Sequence, residues 1–371
     1  MELRRAAGSL MVVGVGGEEL TGLERAWLGT VRPAGIILFR RNIQEASQCR
    51  SLLEQASGYC GPHALRLVDL EGGTVDRLRN ALAPMPSAQT VAEAARARGT
   101  AELASRHGRL IGRAVQAFGF NTTLAPVLDL GLEISSSVMG TRTAGRTAAE
   151  VAGYAQPFFA ALRGESVTGC GKHFPGLGGG TLDSHLATPS IDRSYRQMWA
   201  EDLAVYRALG SSLPMVMISH AAFPRTRSGA TPASVSRFWI ETVLRQRLGY
   251  KGLVFSDDLE MGGILKHASI EQAAVEAVRA GMELIEICHS PELVLRAWEA
   301  LLVEAERKRG FRELLLARAR RVQAWRRRQF PAPVGRALTA RQLEKLRSEI
   351  ERFAAIVEEL QPATNTKETP R

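Results

Sequence analysis

Short apolar runs alternate along this chain with longer stretches in which apolar residues recur every three or four positions. The runs lie at 10–17, 34–39, 65–70, 122–130, 167–173, 214–220, 252–258 and 282–288. Near-continuous apolar runs are the pattern of strands buried on both faces, as in a parallel sheet. The stretches between and after them, at 18–31, 43–57, 101–118, 148–163, 196–209, 234–248, 270–280 and 291–306, read as helices. In the first of these, Leu20, Leu23, Trp27 and Leu28 fall at helical spacing.

Eight such units within residues 1–306 predict a single α/β domain, a (β/α)8 TIM-type barrel. The competing open, doubly wound sheet would carry a phosphate-binding glycine turn after its first strand. Gly14-Val15-Gly16-Gly17 does not match Gly-x-Gly-x-x-Gly. Residues 307–360 form a helical extension. It comprises a basic helix at 311–328, broken by Pro331 and Pro333, and a last helix capped by Thr339 and running to Leu360. Leu343, Leu346, Ile350, Phe353 and Val357 make one apolar stripe on that last helix. The stripe either packs beside the barrel, which is the expectation, or binds a partner. Residues 361–371 have the composition of a disordered tail.

Composition narrows this picture. With 371 residues, 45% hydrophobic and 23% charged, the chain can bury a large core. No apolar run reaches the roughly 18–20 residues of a membrane-spanning helix. Arg4 and Arg5 precede an apolar run, faintly like a secretory leader, but Gly8, Gly14, Gly16 and Gly17 interrupt it, so it reads as the first strand. Cys49, Cys60, Cys170 and Cys288 form no C-x-x-C pair, which argues against a disulfide framework or zinc site and points to a reducing cytoplasm. Net charge is +10, and much of the excess lies at 307–328, where Glu313 is the only acid. Such a segment is either a solvated helix face or a contact for nucleic acid or anionic lipid. No zinc-finger spacing, RNA-binding aromatic signature or helix-turn-helix pattern accompanies it, so no nucleic-acid partner is expected. Nothing in the chain marks an obligate protein partner.

The candidate chemistry sits at the ends of the runs. Asp69, Asp129, Lys172, His173, His220, Asp257 and Asp258 all fall at C-terminal strand ends, where barrels of this kind gather catalytic groups. After the fifth strand, Lys172-His173-Phe174-Pro175-Gly176 leads through Leu177 and three glycines to Asp183-Ser184-His185. A glycine run marks backbone that bends sharply or moves. Asp183 lies two residues from His185 and can orient and polarise its ring. A carboxylate such as Asp257 can attack a sugar's anomeric carbon, and retaining glycosidases pair one such nucleophile with a proton donor. His185 is the best candidate donor, because imidazole donates near neutral pH. Lys172, His173, Arg77 and Arg142 supply donors to sugar hydroxyls, and Asp69 supplies acceptors. This chemistry requires no cofactor and no metal.

These motifs together resemble the bacterial β-N-acetylhexosaminidases of glycoside hydrolase family 3, enzymes of cell-wall recycling. The resemblance rests on Lys172-His173-Phe174-Pro175-Gly176, Asp183-Ser184-His185 and Phe255-Ser256-Asp257-Asp258-Leu259, and spans roughly residues 8–325. Gly35 to Phe39, Asp69 to Arg77, Pro126 to Asp129 and Gly140-Thr141-Arg142 add to it. It implies a barrel in which Asp257 is the nucleophile, His185 the acid/base and Asp183 its partner, while Asp69, Arg77, Arg142, Lys172 and His173 hold N-acetylglucosamine. The implied activity is retaining, exo-acting removal of N-acetylglucosamine from peptidoglycan fragments. A phosphorylase that uses phosphate in place of water, and a non-catalytic sugar-binding barrel, are the alternatives. The Asp257-Asp258 pair also leaves open attack by the substrate's own acetamido oxygen. The chain departs from the family pattern at Leu177, where His is usual, at Glu283, where Asp is usual, and beyond about residue 330.

Overall fold

In a computed structural model describing residues 2–180, 188–331 and 335–361, eight parallel strands close into a barrel. They are β1 (Met11–Gly14), β2 (Gly35–Leu38), β3 (Leu65–Val68), β4 (Thr122–Thr123), β5 (Thr168–Phe174), β6 (Met215–Ile218), β7 (Leu253–Asp258) and β8 (Leu284–Ile287). Each pairs with its sequence neighbours, and β1 closes the ring by lying between β2 and β8. Closure leaves no free sheet edge. The expected (β/α)8 barrel is therefore the observed fold.

All the strands but β5 are shorter than the apolar runs that announce them, because pairing ends before burial does. β4 is the extreme case. Its run continues to Leu130, but Pro126 has no N–H to donate, and the chain leaves the ladder, rejoining at a single bridge between Val127 and Lys172. Helix starts follow cap chemistry. Thr21 with Glu24, Thr147 with Glu150 and Ser269 with Gln272 form capping boxes at Gly22–Val31, Ala148–Gly164 and Ile270–Ala280. The single helix expected at 196–209 is instead two, Tyr195–Ala200 and Asp202–Leu209, broken at Glu201. The structure adds elements too short for a periodic signal. These are the helix Leu3–Gly8, a hairpin of Leu70–Gly72 with Val75–Asp76, and a second hairpin of Ala222–Phe223 with Gly229–Pro232. The helix Ala88–Arg98 also emerges within a stretch that read as polar connection.

Beyond the barrel, the helix Arg309–Gln329 buries Phe311, Leu315, Ala319 and Val322. Several of its arginines are structural. Arg318 pairs with Glu241 at 2.6 Å, Arg321 donates to the buried Glu283, and the buried Arg326 donates to backbone carbonyls. The last helix, Ala340–Glu359, starts at its Thr339 cap as expected. It buries Leu346, Ile350, Phe353 and Val357 against Ala88–Arg98 and Glu102–Ala117, so its stripe packs beside the barrel. Among the described residues, no helix is long and apolar enough to cross a membrane.

Candidate active site

Two of the strands that bring charged residues to the C-terminal mouth of the barrel are irregular. Along β5, Gly171 pairs with Val216 but Phe174 with Ile218, so an extra residue is accommodated at Lys172-His173. Along β7, Phe255 pairs with Leu284 but Asp258 with Glu286, so another is accommodated at Ser256-Asp257. Bulges of this kind break strict alternation and re-aim side chains, and they recur beside active sites. The Lys172–His173 and Phe174–Pro175 peptide bonds are cis.

One electrostatic cluster joins the ends of β3 and β5. The Lys172 ammonium donates to Asp69 Oδ1 at 2.9 Å and lies 2.7 Å from Glu71 Oε1. Arg142 grips both Glu71 oxygens, each at 2.8 Å, in a bidentate pair. Arg77 lies 3.5 Å from Asp69 Oδ2, carried back over the strand end by the hairpin 70–76. Burial would raise the pKa values of Asp69 and Glu71, but the cations win. Lys172 and Arg77 draw Asp69 below its ordinary value, and Arg142 and Lys172 draw Glu71 far below it. Burial likewise opposes the charge on Lys172, yet Asp69 and Glu71 raise its pKa. The structure thus brings Asp69, Arg77, Arg142 and Lys172 together. Sequence reading missed Glu71 as a site residue. Its signal was present, two positions after Asp69 at a strand end.

His173 joins this cluster from its other side. Its Nδ1 lies 2.7 Å from Asp129 Oδ2, and its Nε2 lies 3.5 Å from Arg142 Nη2. Asp129 also accepts from the backbone N–H of Leu177 at 2.7 Å, tying the start of the following loop to the strand ends.

Asp257, half-buried, lies at the end of β7, where its Oδ1 accepts from the N–H of Asp258 at 3.0 Å. The buried His220 steadies this strand end from β6. Its Nε2 lies 2.9 Å from the Asp258 carbonyl oxygen, which can only accept, so Nε2 carries the proton and Nδ1 accepts from Ser234. Burial lowers the pKa of His220 despite the nearby Asp257 charge, so the ring stays neutral and positions the strand. Burial, then the neighbouring Glu260 and Asp257 charges, push Asp258 up to about 7. Burial, then the charges of Asp258, Asp69 and Asp257, raise the pKa of the buried Glu286.

Asp258, Glu260 and His289 bring possible metal-ligand atoms within 4.8 Å of one another, a grouping the sequence did not announce. Both Glu260 oxygens are engaged by the N–H groups of Cys288, His289 and Ser290, and Arg41 acts on His289 as a like charge.

The loop after β5 begins under close packing. Gly176 has φ +139°, and a Cβ there would meet Asp202 Oδ1 at 2.7 Å. Side chains at Gly178 and Gly179 would strike Leu130 and Arg193. The described part of the glycine run is thus required by space. Leu177 is buried, an apolar plug where the family's His is usual. The candidate acid/base His185 and its partner Asp183 lie outside the described residues.

A barrel whose mouth holds a half-buried carboxylate together with paired cations and acids has the groups a glycosidase needs. The comparisons agree. Residues 3–324 match the model of the Glycosyl hydrolase family 3 N terminal domain, and the chain belongs to this family. It is a glycoside hydrolase. A β-hexosaminidase of Pseudomonas aeruginosa is 35% identical over 299 residues, covering 80% of this chain and 88% of that protein. A family 3 β-N-acetylglucosaminidase from Paenibacillus sp. has a similar structure, with a TM-score of 0.84 and 31% identity over 95% of this chain and 69% of its own. Native NagZ from Neisseria gonorrhoeae matches with a TM-score of 0.76 and 28% identity, over 95% of this chain and 98% of its own. The resemblance read from the motifs is borne out.

Proposed function

We propose that this glycoside hydrolase is a retaining exo-β-N-acetylglucosaminidase that removes terminal N-acetylglucosamine from peptidoglycan fragments in the cytoplasm. The observation that carries the reading is that Asp257 lies on a bulged strand end, at the same end of the barrel as the cluster of Asp69, Arg77, Arg142 and Lys172. Relatives named β-hexosaminidase and a structural neighbour titled β-N-acetylglucosaminidase support the choice of sugar. The four cysteines are all free and buried, in accord with a reducing compartment.

In this mechanism Asp257 attacks the anomeric carbon as the aglycone oxygen departs with a proton from His185. Asp183 orients that ring and stabilises its charged form. His185 then takes a proton from water, which releases the sugar with retained configuration. Asp69, Arg77, Arg142, Lys172 and His173 hold the sugar hydroxyls and acetamido group. Glu71 holds Lys172 and Arg142 in place from behind.

The test compares an aryl N-acetyl-β-glucosaminide with the matching aryl β-glucoside. The first should be hydrolysed far faster. Asp257→Asn should lose about 10³-fold or more in kcat. A slow fluorinated N-acetylglucosamine-type substrate should label Asp257 in peptide mass spectra. Preference for the glucoside, or a label on another residue, overturns the reading.

A further inference from the structure

At the end of the barrel remote from the mouth, the helix Arg309–Gln329 finishes against a cleft of about 410 Å³. The helix Leu3–Gly8, the end of Gly22–Val31 and the turn Gly58–Cys60 form its other walls. Four arginines line it, Arg5, Arg32, Arg326 and Arg327, and among the described residues no carboxylate does. Arg318 and Arg321, earlier on the same helix, have acidic partners, whereas among the described residues these four have none within 4.0 Å.

Arg326 makes the imbalance acute. It is only 6% exposed. Its guanidinium donates to the carbonyls of His63 at 2.7 Å, Cys60 at 3.0 Å and Pro62 at 3.3 Å. Those dipoles orient the group without neutralising it. Burial pushes the Cys60 thiol up to about 12, so it carries no charge at neutral pH. Arg5 is close enough to disfavour the Arg326 charge, which burial already opposes. Helix C-termini such as those of Gly22–Val31 and Arg309–Gln329 supply only about half a negative charge each. A buried charge without a counter-ion is costly, and here three more cations surround it.

We propose that this cleft binds a small phosphorylated ligand, with Arg326 as its fixed floor and Arg5, Arg32 and Arg327 closing on it from the rim. The guanidinium fork matches phosphate oxygens in pairs. Three of the four arginines are exposed at the rim, Arg32 with one bond to the Gly29 carbonyl at 3.3 Å, while Arg326 is locked by its carbonyl bonds. The half-buried Tyr59 adds a ring on which the organic part of a phosphate ester can lie. The cleft is concave and of small-molecule size, unlike the broad surface that a polynucleotide or a lipid headgroup layer needs.

The test is calorimetric titration of the full chain with inorganic pyrophosphate at about 50 mM salt, where screening is modest. One pyrophosphate should bind per chain. Arg5→Gln with Arg327→Gln should weaken binding at least about tenfold, since each charge-assisted contact is worth that much or more. The same pair should leave hydrolysis of an aryl β-glycoside within about twofold. Arg312→Gln with Arg320→Gln removes equal charge from exposed positions on the same helix and should leave binding intact. Without ligand, Arg5→Gln should raise Tm by relieving Arg326, and it should abolish most of the Tm gain that pyrophosphate gives the parent chain. Absence of saturable heat overturns the site. So does equal weakening by both pairs, which means diffuse charge, or binding that survives the Arg5 and Arg327 changes, which places the anion elsewhere.

Discussion

Glu71 governs the mouth without being the residue that reacts. It holds Lys172 and Arg142 together, and both cations are largely withdrawn from solvent. Glu71→Gln leaves two neighbouring cations short of a carboxylate, so folding stability should fall by roughly 3–5 kcal/mol in urea titrations. The displaced cations should also cost about 10²-fold in kcat/KM. A variant of normal stability and rate would show that Asp69 alone positions Lys172. The Glu71 carboxyl, held below its ordinary value, contributes stability that is present above the unfolded pKa near 4.3 and lost as pH falls. Asp258 works in the opposite sense. Its folded value of about 7 exceeds the unfolded value near 3.9, so the native state binds its proton more tightly and stability declines as pH rises between the two. Asp258→Asn should therefore match the parent near pH 4 and exceed it by roughly 2 kcal/mol at pH 8. An equal effect at both pH values would mean that packing, not ionisation, sets its cost.

At the scale of elements, the two C-terminal helices are anchored by different physics. Arg309–Gln329 is tied to the barrel base through Glu283, which is buried, accepts from Arg245 at 2.8 Å and from Arg321, and also takes the N–H of Val254 at 2.9 Å. This is a further role for the position where the family's Asp is usual. The longer Glu side chain meets arginines from two helices. Glu283→Ala should cost roughly 3–5 kcal/mol, because it strands those arginines. Ala340–Glu359 is held mainly by its apolar stripe. Phe353 is fully buried, with its ring 5.9 Å from that of His107. Phe353→Ala should lower stability by about 3–5 kcal/mol while kcat/KM at 25 °C stays near the parent value, since the helix packs mainly on Ala88–Arg98 and Glu102–Ala117 among the described residues. A matching loss of activity would show that the helix Glu102–Ala117 transmits packing to the site.

At the scale of the whole molecule, charge is divided between the two ends of the barrel. At the mouth, each of Lys172, Arg142 and Arg77 has a carboxylate partner. At the base, four arginines share a cleft with none. Phosphate offered to the enzyme should therefore leave turnover unchanged, since Lys172, Arg142 and Arg77 would each have to give up a carboxylate to receive it. Initial rates across a phosphate series, with chromatography for a sugar 1-phosphate, check this. Acceleration together with that product would establish a phosphorylase.

The sequence by itself determined the barrel and the identities at its mouth. Strands buried on both faces must be apolar throughout, so eight of them declare themselves in any order of reading. Charged residues at the ends of such strands stand out because burial alone would expel them. Cap residues such as Thr21 and Thr339 act over three residues and were equally legible. What needed the tertiary structure were pairings across large separations. Glu71 became a site residue only when a hairpin and a bulge set it beside Lys172 and Arg142. The glycines after Pro175 read as a sharp bend or freedom to move, and those at 176, 178 and 179 answer to Asp202, Leu130 and Arg193, which come from other parts of the chain. The basic segment read either as a solvated face or as a contact for nucleic acid or anionic lipid. Only the folded chain divides it into arginines that meet Glu241 and Glu283 and arginines that meet one another, because charge is counted along a sequence but compensated in space.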